Sequence, residues 1–196
     1  MFSDLSLKKY INELSSEKPI PGGGSTSALV ASLGISLEMM VARISLKKQE
    51  GERKKSLEEA IKKLEAFLND AEQVIDLDPK VYQEVMTSYA AAKTEKDPKQ
   101  AEANIARALS NSFRLQADLA LLIIMAKQFL STVDSFTKGS IRNDLVVSSA
   151  LLDGAFKGAV ATARINIVYM KDAKQKEHFE DALKKLEQKY AQIRFV

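Results

Sequence analysis

The chain has 196 residues, 45 % of them hydrophobic and 28 % charged, with a formal net charge of +3, no cysteine and a single histidine, His178. That length suits one core, read as a single helical domain over residues 1–196. Without cysteine there are no disulfides, thiolate metal sites or cysteine nucleophile, one histidine is too few for the usual zinc sites so no metal is expected, and the weak, mixed charge argues against nucleic acid.

In chain order, the first twenty residues lack the apolar core of a signal peptide. Leu7, Ile11 and Leu14 predict a short first helix. The second opens near Ser25 and ends about Lys47, before Gly51. Leu57, Ile61, Leu64, Leu68, Ala71 and Ile75 then follow a 4-3-4-3-4 spacing, the seam of a helix packed along a partner. "DLDP" at 76–79 is expected to break it, with Pro79 in the first turn of a fourth helix that reaches about Lys93. A fifth runs from Pro98 to about Val133. The loop "DSFTKGSIRND" follows, then a sixth helix from Asp144 to about Met170, and a seventh carrying Phe179, Leu183, Leu186, Tyr190 and Ile193. The longest uninterrupted apolar run, Leu119 to Ala126, is short against the ~20 residues of a membrane span, so a soluble, cytoplasmic protein with no membrane partner is expected. No segment alternates with period two. The prediction is all-α, an antiparallel bundle of six to seven long helices. The second and sixth helices are apolar or small on every face, which predicts burial all round and a core completed by a second copy, a homodimer.

Three of the eight glycines stand together in "PIPGGGSTS", directly before the second helix. A helix start carries free N–H groups and a partial positive charge, and glycine lets other atoms come close to the backbone. Two readings stay open: a ligand-binding helix start, or a tight turn that lets two buried helices touch. In either case Ser25, Thr26 or Ser27 is expected to cap the helix. Asp78 and Asp144 read as caps of the fourth and sixth helices. Asp76 follows the apolar seam, where a partly desolvated carboxyl is suited to donating a proton. Asp153 is either paired, with Arg164 or Lys157, or turned to a cavity. Arg43 and Arg164 lie in the two most apolar helices and need acidic partners or an anionic ligand. His178, in a charged amphipathic helix, reads as solvated.

These segments resemble the cyclodeaminase/cyclohydrolase family of folate enzymes. The resemblance rests on "PGGGSTSALVASLGISLEMMVARISLKK", on "IDLDPKVYQEVMTSY" and on "KGSIRNDLVVSSALLDGAFKGAVATARINI". Three positions depart from the family pattern: Ser140 after Gly139, Asn143 before Asp144, and Thr162 where an asparagine is usual. The resemblance implies an all-helical homodimer that takes a tetrahydrofolate derivative, carried as substrate with no other cofactor, in a cleft near the dimer interface. It implies cyclisation of 5-formiminotetrahydrofolate to 5,10-methenyltetrahydrofolate with loss of ammonia, Asp76 being the general acid and a formiminotransferase a partner. The alternatives are methenyltetrahydrofolate cyclohydrolase activity and a non-catalytic folate-binding scaffold. On this reading Pro21, Gly22, Gly23, Gly24, Ser25, Asp78, Tyr82, Gly139 and Asp144 contact substrate, and Arg43, Lys47, Lys48 and Arg142 meet the glutamate tail. The glycines and Asp76 are then expected to face each other across one hollow.

Overall fold

The helical spacing becomes six α-helices in a computed structural model that describes residues 1–195: α1 (Leu7–Leu14), α2 (Gly23–Leu46), α3 (Gly51–Ala92), α4 (Pro98–Phe136), α5 (Arg142–Tyr169) and α6 (Ala173–Ala191). Among the described residues there is no strand. α2 lies against α3, α4 and α5, and α6 closes over α4 and α5. Ile35, Leu57, Leu64, Leu119, Ile123, Leu130 and Leu152 fill the main core. A second cluster beneath α6 stacks Phe113 on Phe179, ring centres 4.1 Å apart.

The expected third and fourth helices are one. α3 runs for 42 residues straight through Pro79, a rod of about 63 Å. A proline inside a helix lacks the N–H that would bond the carbonyl four residues earlier, here that of Ile75. Ser25 Oγ fills the gap from α2, donating to the Ile75 carbonyl at 2.8 Å. A tertiary contact therefore repairs the ladder that the sequence, taken locally, breaks.

Three further features qualify the sequence reading. α1 turns its Leu7, Ile11 and Leu14 stripe outward, and Tyr10 is its one buried residue. α2 and α5 are not covered all round within one chain: Leu33, Met40 and Ile44 on α2 and Val146, Val147, Ile165 and Val168 on α5 remain exposed. By length and composition α2, α4 and α5 are each long and apolar enough to cross a membrane, because such windows tolerate isolated charges that cut an uninterrupted run short; about half of each window is buried inside the bundle.

Asp97 and Asp172 cap α4 and α6 by accepting from Lys99 N–H (2.9 Å) and Gln175 N–H (2.7 Å). α5 begins at Arg142, which places Asp144 within its first turn rather than at the cap. α2 has no side-chain cap of its own.

Candidate functional site

The start of α2 is served from another helix. Ser25 N–H donates to Asp78 Oδ2 at 2.9 Å, and Gln116 Nε2 on α4 donates to Asp78 Oδ1 at 2.8 Å. Asp78 thus caps α2, not a fourth helix, and puts a carboxylate where the helix dipole favours one. Burial pushes its pKa up, while the Ser25 N–H and the Gln116 amide pull it down. Gly24 makes the approach possible: a Cβ there would lie 2.1 Å from Asp78 Oδ1 and 2.3 Å from Gln116 Nε2. The expected hydroxyl caps bond backward instead, Thr26 to the Gly22 carbonyl (2.8 Å) and Ser27 to the Gly23 carbonyl (2.7 Å). Of the two readings of the glycines, these contacts favour the tight helix junction. Pro21, buried behind a cis Ile20–Pro21 bond, completes it.

Asp76 has a different setting. It is buried in the wall of a cavity of about 760 Å³ between the N-terminal segment, α2 and α3, with Tyr10, Leu29, Ser32, Asn69 and Gln73 around it. Phe2 N–H donates to its Oδ1 and Ser3 Oγ to its Oδ2. The three glycines do not line this cavity, so they and Asp76 do not face each other across it. The link is indirect. Tyr10 lines the cavity and its hydroxyl lies 3.1 Å from Ser25 Oγ. The Ser25 proton is committed to the Ile75 carbonyl, which only accepts, so Tyr10 is the donor.

The family described as formiminotransferase-cyclodeaminase matches residues 6–185, nearly the whole chain. The chain belongs to that family. The fold is similar to a solved formiminotetrahydrofolate cyclodeaminase from Thermotoga maritima, with a TM-score of 0.75 and 20 % identity over 97 % of this chain and 92 % of the other. The formimidoyltransferase-cyclodeaminase of Gallus gallus is 24 % identical over 174 residues. This chain is matched over 87 % of its length and spans about a third (32 %) of that relative.

Thr162, where the resemblance implied an asparagine, donates to the Gly158 carbonyl at 2.9 Å and sits 3.5 Å from where a Gly23 Cβ would be. It belongs to the seam between α5 and the glycine turn. Tyr82 is half-buried one turn beyond Asp78; Gly139, with φ of +80°, and Ser140 and Asn143 lie exposed before or at the start of α5, beside the partly exposed Asp144. Arg142 is tied to Asp134 by two bonds of 2.6 and 3.1 Å. Arg43 pairs with Glu65 at 2.6 Å and Arg164 with Glu187 at 2.9 Å, both on the surface rather than inside. Lys47 and Lys48 are exposed beyond the end of α2. Leu29, Leu33 and Ser36 line the Asp76 cavity, and Met40, Arg43 and Lys47 continue the same i+4, i+3 stripe. That stripe carries Arg43 and Lys47 about 10 and 16 Å beyond Ser36 along the axis.

Asp153 takes partners other than those expected, bonding Lys127 Nζ and the Tyr190 hydroxyl. His178 is exposed. Among the described residues no group of three or more His, Asp or Glu is placed to hold a metal ion. Sequence reasoning missed Gln116, Tyr10 and above all Glu38. Both Glu38 oxygens are buried without a partner, and burial pushes its pKa well above the usual range. Its signal was legible: one acid in the most apolar helix, the same pattern that marks Asp153.

Proposed function

We propose that this protein is a formiminotetrahydrofolate cyclodeaminase with Asp76 as its proton-shuttling group. The observation that carries the reading is Asp76 itself, a buried carboxyl on the wall of a cavity large enough for a ligand. In the reaction N10 of the folate attacks the formimino carbon, a new C–N bond forms and N10 gives up its proton. The former imino nitrogen must gain protons before its bond to carbon breaks and it leaves as ammonia. One carboxyl in a fixed, partly dry position serves both transfers. The stripe leading from the cavity to Arg43 and Lys47 supports an elongated ligand whose anionic tail lies along α2. The uncovered apolar faces of α2 and α5 support a homodimer, which sedimentation would test. The double name of the chicken relative supports a formiminotransferase as functional partner.

The test is turnover of 5-formiminotetrahydrofolate, followed by the near-ultraviolet absorbance of the methenyl product. Asp76→Asn should lower kcat about 100-fold or more with the helical circular dichroism unchanged; full activity in that variant removes Asp76 from the mechanism. Cyclohydrolase activity, assayed on the same preparation, uses the same shuttle. The engagement of both Asp76 oxygens by residues 2 and 3 favours one competing reading, a folate-binding dimer without turnover. Calorimetric binding of folate with neither activity would select it.

A further inference from the structure

We propose that residues 2–5 form a removable strap, fastened to Asp76, that gates the cavity beneath it. The two fastenings are the Phe2 N–H and the Ser3 hydroxyl, each on a different oxygen of the Asp76 carboxylate. With both oxygens accepting from the chain's own segment, neither faces a ligand. Residues 2–5 also line the cavity, together with Ser32, Asn69 and Gln73.

The rest of the attachment is a small apolar one, with Phe2 and Leu5 partly buried against the main core. The segment is a single turn, held internally by the Leu5 N–H to the Phe2 carbonyl at 3.2 Å. The Phe2 ring meets Tyr10 edge-on with centres 6.4 Å apart, while Ser3 and Asp4 are exposed. α1, which follows, turns its apolar stripe to solvent and is anchored through Tyr10. Ser6, the α1 cap, marks the point where the strap joins this anchor. A short segment held by one carboxylate and two partly buried side chains opens more readily when that carboxylate is removed or bonds something else. This inference rests on the Asp76 cavity being the ligand site, and not on which folate enters it.

Because the chain has no cysteine, Ser32→Cys places a unique thiol on the cavity wall beneath the strap, where serine is buried. Its rate of reaction with a disulfide reagent then reads the opening. Deleting residues 2–5 should raise that rate strongly. Ser3→Ala, made with Ser32→Cys, should raise it about tenfold through loss of one hydrogen bond to a charged group, and Asp76→Ala, which removes both, by at least as much. Ser3→Ala leaves the buried residues intact, so it decides the matter if the deletion does not fold. An unchanged rate in a folded deletion variant, or in Ser3→Ala where the deletion does not fold, overturns the strap. A second arm adds 5-formyltetrahydrofolate. Protection of the thiol, with tighter binding in the deletion variant, is expected. Should folate protect no variant while the strap variants still label faster, the gate stands and the folate reading falls.

Discussion

Asp76 and Asp78 lie two residues apart on one helix, both buried, and do different work. Asp78 turns inward and is consumed by structure, holding the Ser25 N–H and Gln116 where α2, α3 and α4 meet. Asp76, about 200° around the helix, faces a cavity and is satisfied only by a short terminal segment. Burial alone therefore does not mark a reactive carboxyl. What separates the two is whether their hydrogen-bond donors sit on packed helices or on something able to leave.

The sharpest way to break this contrast is at the inward-facing junction. Gly24→Ala drives a methyl into the Asp78 carboxylate and the Gln116 amide, which are buried and held by their bonds to each other and to Ser25 N–H. A loss of about 3 kcal/mol is expected by urea denaturation. Gly23→Ala, whose Cβ would meet Thr162 Oγ1 at 3.5 Å, should change stability by less than about 1 kcal/mol. Equal effects at the two positions would mean that glycine serves backbone conformation there rather than close approach.

The next largest effect separates the carboxylates directly. Asp78→Ala leaves a helix-start N–H and a buried amide without acceptors and should cost about 2–3 kcal/mol. Asp76→Ala should cost less, about 1.5 kcal/mol, because the donors it releases, Phe2 N–H and Ser3 Oγ, can reach water once the strap lifts. Activity should follow the opposite order, lost with Asp76 before stability is.

Glu38 extends the comparison to a buried acid with no donors at all. The folded-state pKa values of Glu38 and Asp78 are both raised, chiefly by burial. Each therefore contributes most to stability below its ordinary value, 4.5 for Glu38 and 3.8 for Asp78, and that contribution is lost as pH rises through the folded value. Stability should fall from about pH 5 toward pH 8 on this account. Glu38→Met should flatten the fall and stabilise the protein at the upper end by about 1–2 kcal/mol. A methionine variant that loses stability at pH 8 would mean that the carboxylate has a role in the folded chain.

The helices were legible because their apolar residues repeat at helical spacing, and the family was legible in "PGGGSTS" and "IDLDP". The continuity of α3 was not, since proline and aspartate are local break signals and the bond that overrides them comes from a residue 50 positions away. The role of Gly24 was hidden for the same reason: sequence reveals backbone freedom but not the carboxylate waiting opposite. Asp76 stood out at the end of an apolar seam, yet its partners, Phe2 and Ser3, carry no motif. Glu38 carries a visible signal, one acid in the most apolar helix, but nothing local shows that it lacks a partner.

The smallest predicted effect tests how α3 survives its proline. Ser25→Ala removes the donor to the Ile75 carbonyl and the acceptor for Tyr10, a loss of about 1–2 kcal/mol. Pro79→Ala restores a backbone N–H that bonds the same carbonyl within the helix. If the serine is there to satisfy what the proline orphans, the second change makes the first cheaper. The double variant should be more stable than the sum of the single effects by about 1 kcal/mol. Additive costs would show that the Ile75 carbonyl needs no replacement donor, and that Ser25 matters for Tyr10 and the cavity side of the helix rather than for the break itself.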